Sequence, residues 1–109
     1  MTARSMNLAQ FRDNKVPVLV VTDVAARGLD IPLVNTVIHF DCPTSPKLYV
    51  HRTGRTARGG REGTSVVFAT AAELPYILDI ALFLNQPLEA TTERSGRKRE
   101  SILAIRGKT

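Results

Sequence analysis

Tryptophan is absent from these 109 residues, cysteine occurs once, and aromatic side chains make up only 6%. With Cys42 alone, no disulfide closes within the chain, which fits a reducing compartment and leaves the thiol as a small buried hydrophobe. No apolar run approaches the ~20 residues that span a bilayer. The polar N-terminus is unlike a secretory leader. An intracellular protein with no membrane partner is expected. His39 and His51 with one cysteine give no metal spacing, so no metal site is expected. His39, in an apolar stretch, reads as a core or surface histidine.

Acidic residues are missing where basic ones are densest. The chain carries 15 basic and 10 acidic side chains, a net charge of +5. Residues 47–61 hold Lys47, Arg52, Arg55, Arg58 and Arg61 without one carboxylate. Residues 94–109 set six basic side chains against Glu100 alone. Such an imbalance favours a polyanionic partner.

The densest segment is His51-Arg52-Thr53-Gly54-Arg55-Thr56-Ala57-Arg58-Gly59-Gly60-Arg61. Arginine is permanently charged and offers a planar fork of donors that matches phosphate oxygens. Small residues between the arginines allow close approach of a polyanion. The plainer alternative is a solvated basic loop. Lys47-Leu48-Tyr49-Val50, with a partly apolar helical pattern, leads into it and argues for an ordered element. A second dense segment, Thr22-Asp23-Val24-Ala25-Ala26-Arg27-Gly28-Leu29-Asp30-Ile31-Pro32, also follows an apolar run.

The spacing predicts an amphipathic helix over 3–13, with Met6, Leu8 and Phe11 apolar. Val16 to Val21 is a β-branched run typical of a strand buried on both faces. Strands are also expected over 35–40 and 63–69, with a helical turn in 24–34 and a helix over about 46–58. Alternating strands and helices imply βαβ units, a parallel sheet and right-handed crossovers. Thr70-Ala71-Ala72-Glu73 reads as a capping box; alternatively the next helix starts at Pro75, which suits a first helical position. Ile77, Leu78, Ala81, Leu82 and Leu84 form its apolar face, ending near Asn85-Gln86-Pro87. Residues 1–87 read as one partial domain and 88–109 as a basic linker or tail, with a short helix at Ile102, Leu103 and Ile105. Three strands are few for a parallel sheet, so a part of a larger α/β domain is expected.

Thr22 to Asp30 and His51 to Arg58 resemble motifs V and VI of the DEAD-box RNA helicases of superfamily 2, in order and at the family's spacing. The resemblance covers residues 3 to about 85. It implies an α/β fold: part of the second RecA-like domain, a parallel sheet flanked by helices, of the P-loop NTPase type but without the P-loop. Gly107-Lys108-Thr109 copies only the end of such a loop and lacks its first glycine, its strand and its helix.

Carried over by position, the resemblance implies that Arg55 and Arg58 reach the ATP γ-phosphate as arginine fingers. It implies that His51 links ATP state to the other domain and that Arg52 supports it. Asp30 corresponds to the carboxylate that accepts from the ribose hydroxyl. Thr22 and Gly28 lie where the family lays RNA backbone, and Arg4 matches the arginine of a short Gln-x-x-Arg motif that contacts an RNA phosphate. Local readings stand beside these. The local reading of Asp30 is a cap for the turn before Pro32, that of Arg27 and Arg52 is local ion pairing, and that of Thr22 is an ordinary strand-end residue. Met1 stands where the motif has glutamine, and Ala57 where the family often has glycine. Glu73-Leu74-Pro75-Tyr76-Ile77-Leu78-Asp79-Ile80-Ala81-Leu82-Phe83-Leu84 resembles the nucleolar branch acting in large-subunit ribosome assembly.

The resemblance implies a fragment of an ATP-dependent RNA helicase that binds single-stranded RNA backbone and unwinds duplexes locally, in ribosome biogenesis. The cofactor is ATP with Mg2+, the metal being held by a first RecA-like domain not present in this sequence. Expected partners are RNA, that first domain and pre-ribosomal particles; the expected location is the nucleus and nucleolus. Gly96-Arg97-Lys98-Arg99 suits either a nuclear signal or a solvated linker. The chain alone is expected to be inactive and to be a truncated product. The alternatives are a non-catalytic RNA-binding or regulatory module, or an inactive truncated gene product.

Overall fold

Thr2 opens the first helix by accepting a hydrogen bond from the Ser5 amide at 3.2 Å, the usual way an N-cap satisfies a free donor. The helix, α1, spans Ala3–Arg12 and ends where Asn14 turns into the left-handed region at φ 57°. Asparagine tolerates that conformation, and the Asn14 and Lys15 amides close the end on Phe11 and Gln10 carbonyls. A second, short helix, α2, spans Asp23–Gly28. These elements lie in one compact unit, Met1–Pro32; the other is Leu33–Thr109. The computed structural model describes residues 2–56, 62–85, 89–95 and 98–108.

Between the two helices, the run Val16 to Val21 is not a strand. Its residues take no strand conformation, and Val18 and Val20 are 67% and 91% exposed. A doubly buried strand needs a hydrogen-bonded neighbour beside it and a layer on each face. The run has the side chains for that role, but no ladder among the described residues.

The second unit is built around strand β1 (Thr36–His39), helix α3 (Pro46–Thr53), strand β2 (Glu62–Ala69), and helix α4 (Leu74–Leu84). β1 and β2 are parallel, with Thr36 opposite Thr64 and His39 opposite Val67, and α3 lies between them in sequence. This is the expected β–α–β order. Ser45 caps α3 by accepting from the Leu48 amide at 3.1 Å, and Pro46 takes the first turn, where no amide is needed.

Residues read above as a linker form strands β3 (Glu89–Ser95) and β4 (Lys98–Lys108). β4 pairs antiparallel with both β2 and β3, giving the order β1-β2-β4-β3. Ile102, Leu103 and Ile105 therefore lie on a strand, opposite Phe68, Val67 and Ser65, and not on a short helix. Charged residues masked the β-branched and leucine pattern between them. Gly107 and Lys108 are also strand residues, opposite Gly63 and Glu62.

β2 alternates strictly: Gly63, Ser65, Val67 and Ala69 are buried, while Thr64, Val66 and Phe68 are half-exposed. Its buried face packs with Cys42, Tyr49, Ile77 and Ile80, and Leu84 joins the edge of this core. Both readings of the start of α4 contribute. Glu73 accepts from the Thr70 amide and hydroxyl at 3.0 Å, closing a 3-10 turn over Ala71–Glu73. The α-helix follows at Leu74, with Pro75 in its first turn. Its inward seam is Ile77, Ile80 and Leu84. Leu78 and Leu82, expected on that seam, point outward and are 49% and 80% exposed. At about 100° of rotation per residue, Leu78 sits about 100° and Leu82 about 140° around the cylinder from Ile77, away from the seam.

Candidate functional site

The basic segment begins on α3. Tyr49 anchors this helix: it is buried and stacks on His39 with ring centroids 5.1 Å apart and planes 10° apart. His39 is a core residue, and its Nε2 lies 3.1 Å from the Ser65 hydroxyl. Burial pushes the Tyr49 hydroxyl above its ordinary range, opposed by a hydrogen bond with Ser65. With Tyr49 inside, His51 two positions later is exposed. Arg52 donates to the Asp41 main-chain carbonyl at 2.7 Å.

Arg55 sits in the turn after α3, its residue half-buried. The backbone there is fixed from both sides. The Val34 amide donates to the Arg55 carbonyl at 2.8 Å, and the buried Thr56 hydroxyl donates to the Asn35 carbonyl at 3.1 Å. The Thr64 amide donates to the same Asn35 carbonyl at 3.0 Å, so the turn is tied to the start of the β1–β2 pair. Among the described residues no carboxylate pairs with Arg55. A pinned backbone carrying a guanidinium with no carboxylate partner among the described residues is suited to hold an external anion. Arg58 lies outside the described residues, as do Ala57, Gly59, Gly60 and Arg61.

The other expected residues belong to the first unit. Arg4 is exposed on α1. Thr22 is the N-cap of α2, its hydroxyl oxygen accepting from the Ala25 amide at 3.2 Å. That bond uses a lone pair and leaves the hydroxyl proton available to a ligand. Gly28 ends α2, and a Cβ added there would meet nothing within 4 Å. Internal packing therefore does not require glycine at this position. Asp30 is 95% exposed, and its Oδ2 lies 3.4 Å from a guanidinium nitrogen of Arg12. The same nitrogen donates to the Asp30 main-chain carbonyl.

Two of these features had little sequence signal. Thr56 was read only as a small residue between arginines, yet its hydroxyl is a tether. Arg12 ends α1 18 positions before its partner, a separation that no local pattern marks. Among the described residues, no group of histidine, cysteine or carboxylate side chains is arranged to hold a metal. No helix among them is long and apolar enough to cross a membrane. Cys42 is buried, its thiol pushed above the ordinary range first by burial and then by Glu73, with Arg52 opposing.

The helicase conserved C-terminal domain family matches the chain over residues 2–60. The chain is 53% identical over 92 residues to DEAD-box ATP-dependent RNA helicase 29 of Oryza sativa subsp. indica, covering 84% of this chain and 11% of that protein. It is 53% identical over 85 residues to ATP-dependent RNA helicase DDX54 of Mus musculus, covering 78% and 10%. To ATP-dependent RNA helicase DBP10 of Ajellomyces capsulatus it is 52% identical over 87 residues, covering 80% and 10%. The chain thus spans about a tenth of the length of these curated relatives. Among solved structures, it resembles the E. coli DEAD-box protein SrmB, crystallised bound to regulator of ribonuclease activity A. The TM-score is 0.65 at 39% identity, covering 75% of this chain and 50% of that one.

Proposed function

Because the chain belongs to the helicase conserved C-terminal domain family, in its DEAD-box ATP-dependent RNA helicase group, we propose that it is one half of an ATP-dependent RNA clamp. In the intact protein, two RecA-like domains close around single-stranded RNA with ATP between them, bend its backbone and separate a duplex locally. ATP with Mg2+ supplies the phosphoryl group and the metal charge, the metal being held by the first domain. This chain's residues supply the facing wall.

In this reading Arg55 and Arg58 meet the charge on the transferring phosphoryl. A fixed cation there is worth about 10³ to 10⁵ in rate. His51, exposed on α3, reports that state to the first domain. Asp30 accepts from a ribose hydroxyl. Arg4, the Thr22 hydroxyl and the open approach at Gly28 hold RNA phosphate and sugar, so sequence preference is slight. The chain alone does not hydrolyse ATP, since the reaction needs the first domain. The resemblance of the α4 sequence to the nucleolar branch, with DBP10 and DDX54 among the relatives, supports a role in ribosome biogenesis, with pre-ribosomal particles as partners and the nucleolus as location.

The observation that carries this reading is the pinned turn at Arg55, held by Val34 and Asn35 while its guanidinium has no carboxylate partner among the described residues. The test is complementation. The full chain, mixed with a separately produced first RecA-like domain, is expected to yield RNA-stimulated ATP hydrolysis that neither component shows alone. Robust hydrolysis by the pure chain, or none in the mixture although it binds RNA, would overturn it. The second of these results would favour a non-catalytic RNA-binding module.

A further inference from the structure

Asp30 occupies an awkward position for a residue asked to hold a ligand. It follows Leu29, which leaves α2 in an extended conformation (φ −104°, ψ 139°). It precedes Ile31, which Pro32 confines to extended backbone. No helix or ladder therefore fixes Asp30, and its side chain is 95% exposed. A carboxylate on such a loop samples several rotamers, and a ligand that selects one must meet that ordering cost.

One residue counters this freedom. The terminal guanidinium nitrogen of Arg12, in the last turn of α1, donates to the Asp30 carbonyl and lies 3.4 Å from Asp30 Oδ2. A single nitrogen thus holds main chain and side chain together, which fixes both the loop and the direction of the carboxylate. As an isolated exposed ion pair this contact contributes little to stability. Its geometric consequence is larger, because one charged nitrogen makes a hydrogen bond to the main chain and an ion pair with the side chain at once. The carboxylate stays open to solvent and hence to a ligand hydroxyl.

We infer that Arg12 is a positioning residue for Asp30, presenting its carboxylate to the ribose hydroxyls of a bound nucleotide. This rests on the proposed role of Asp30 as ribose acceptor, and extends it to the residue that makes the role effective. Arg12 touches neither phosphate nor base in this scheme. Removing it loosens ribose recognition and spares the rest of the nucleotide.

The test uses the full 109-residue chain and amide NMR titration at Asp30 and Ile31. The probes are ADP, 2′,3′-dideoxy-ADP and inorganic pyrophosphate. The parent chain is expected to prefer ADP over the dideoxy nucleotide by about tenfold, the size of a hydrogen bond to a charged acceptor. Asp30→Asn and Arg12→Met should each reduce that preference to less than about threefold, with pyrophosphate affinity and thermal midpoint unchanged. Arg12→Lys, which keeps the charge, should restore most of it. If Asp30→Asn abolishes the preference and Arg12→Met leaves it intact, Arg12 is not a positioning residue, while the Asp30 reading stands. If neither variant changes it, or the parent chain shows no preference, both ideas fail together. Equal loss of ADP, dideoxy-ADP and pyrophosphate binding in Arg12→Met would mean direct phosphate contact and would also overturn the inference.

Discussion

Replacing Thr56 by valine isolates the tether that fixes the arginine turn. The side chains are nearly the same shape, so the change deletes one hydroxyl without opening a cavity. Thr56 is 7% exposed, and its bond to the Asn35 carbonyl is 3.1 Å long. Losing a neutral hydrogen bond costs about 0.5–1.5 kcal/mol, whereas orphaning a buried acceptor costs up to about 3 kcal/mol. The Asn35 carbonyl also receives the Thr64 amide at 3.0 Å, so it is not orphaned and the lower range applies. About 1 kcal/mol corresponds to a fall of roughly 4–8 °C in the thermal midpoint of a domain this small. Urea unfolding should show a lower midpoint with the same slope, and exchange at the Thr56 amide should quicken. Thr53→Val is the control, since the Thr53 hydroxyl returns to carbonyls of its own helix, Tyr49 at 2.9 Å and Val50 at 3.3 Å. If Thr56→Val retains parental exchange at the turn, or Thr53→Val loosens the turn equally, the tether argument is refuted.

Ile80→Ala should cost about 2–5 kcal/mol, because the side chain is fully buried. Leu82→Ala, 80% exposed on the same helix, should change stability by less than about 0.5 kcal/mol in the same urea titration. Burial raises the Cys42 thiol and the Tyr49 hydroxyl, so the folded state holds these protons more tightly than the unfolded chain. Their stabilising influence is complete below the ordinary thiol range, about pH 8.5, and declines as pH rises through the raised values. Thermal midpoints should therefore fall above that pH, and Cys42→Ala should flatten the first part of the decline. RNA affinity should drop linearly on a log–log plot against salt, and Arg4→Ala should reduce the slope by roughly one.

The β1–α3–β2–α4 core was legible because each element carries a local signature. Ser45-Pro46 opens a helix, Asn85 closes one in the left-handed region at φ 52°, and β2 alternates along its length. The run at 16–21 misled for a reason that no local pattern reveals, since strand formation depends on a neighbour's ladder and not on β-branched side chains alone. The β3–β4 hairpin was hidden by basic residues that read as solvated tail. At the site, the arginine spacing and its family resemblance named the candidate side chains. Their supports were not legible. Thr56 to Asn35 and Arg12 to Asp30 join positions 21 and 18 apart, and neither pairing has a period to detect.

The central claim is that arginines of the 51–61 segment face a nucleotide phosphate across the join to a first domain. Single-turnover ATP hydrolysis by the complemented protein tests it most directly, comparing Arg55→Ala and Arg58→Ala with the parent. The account predicts a fall of about 10³-fold or more in the hydrolysis step, with RNA-binding affinity within a few-fold of the parent. A rate within a few-fold of the parent for both variants would contradict it.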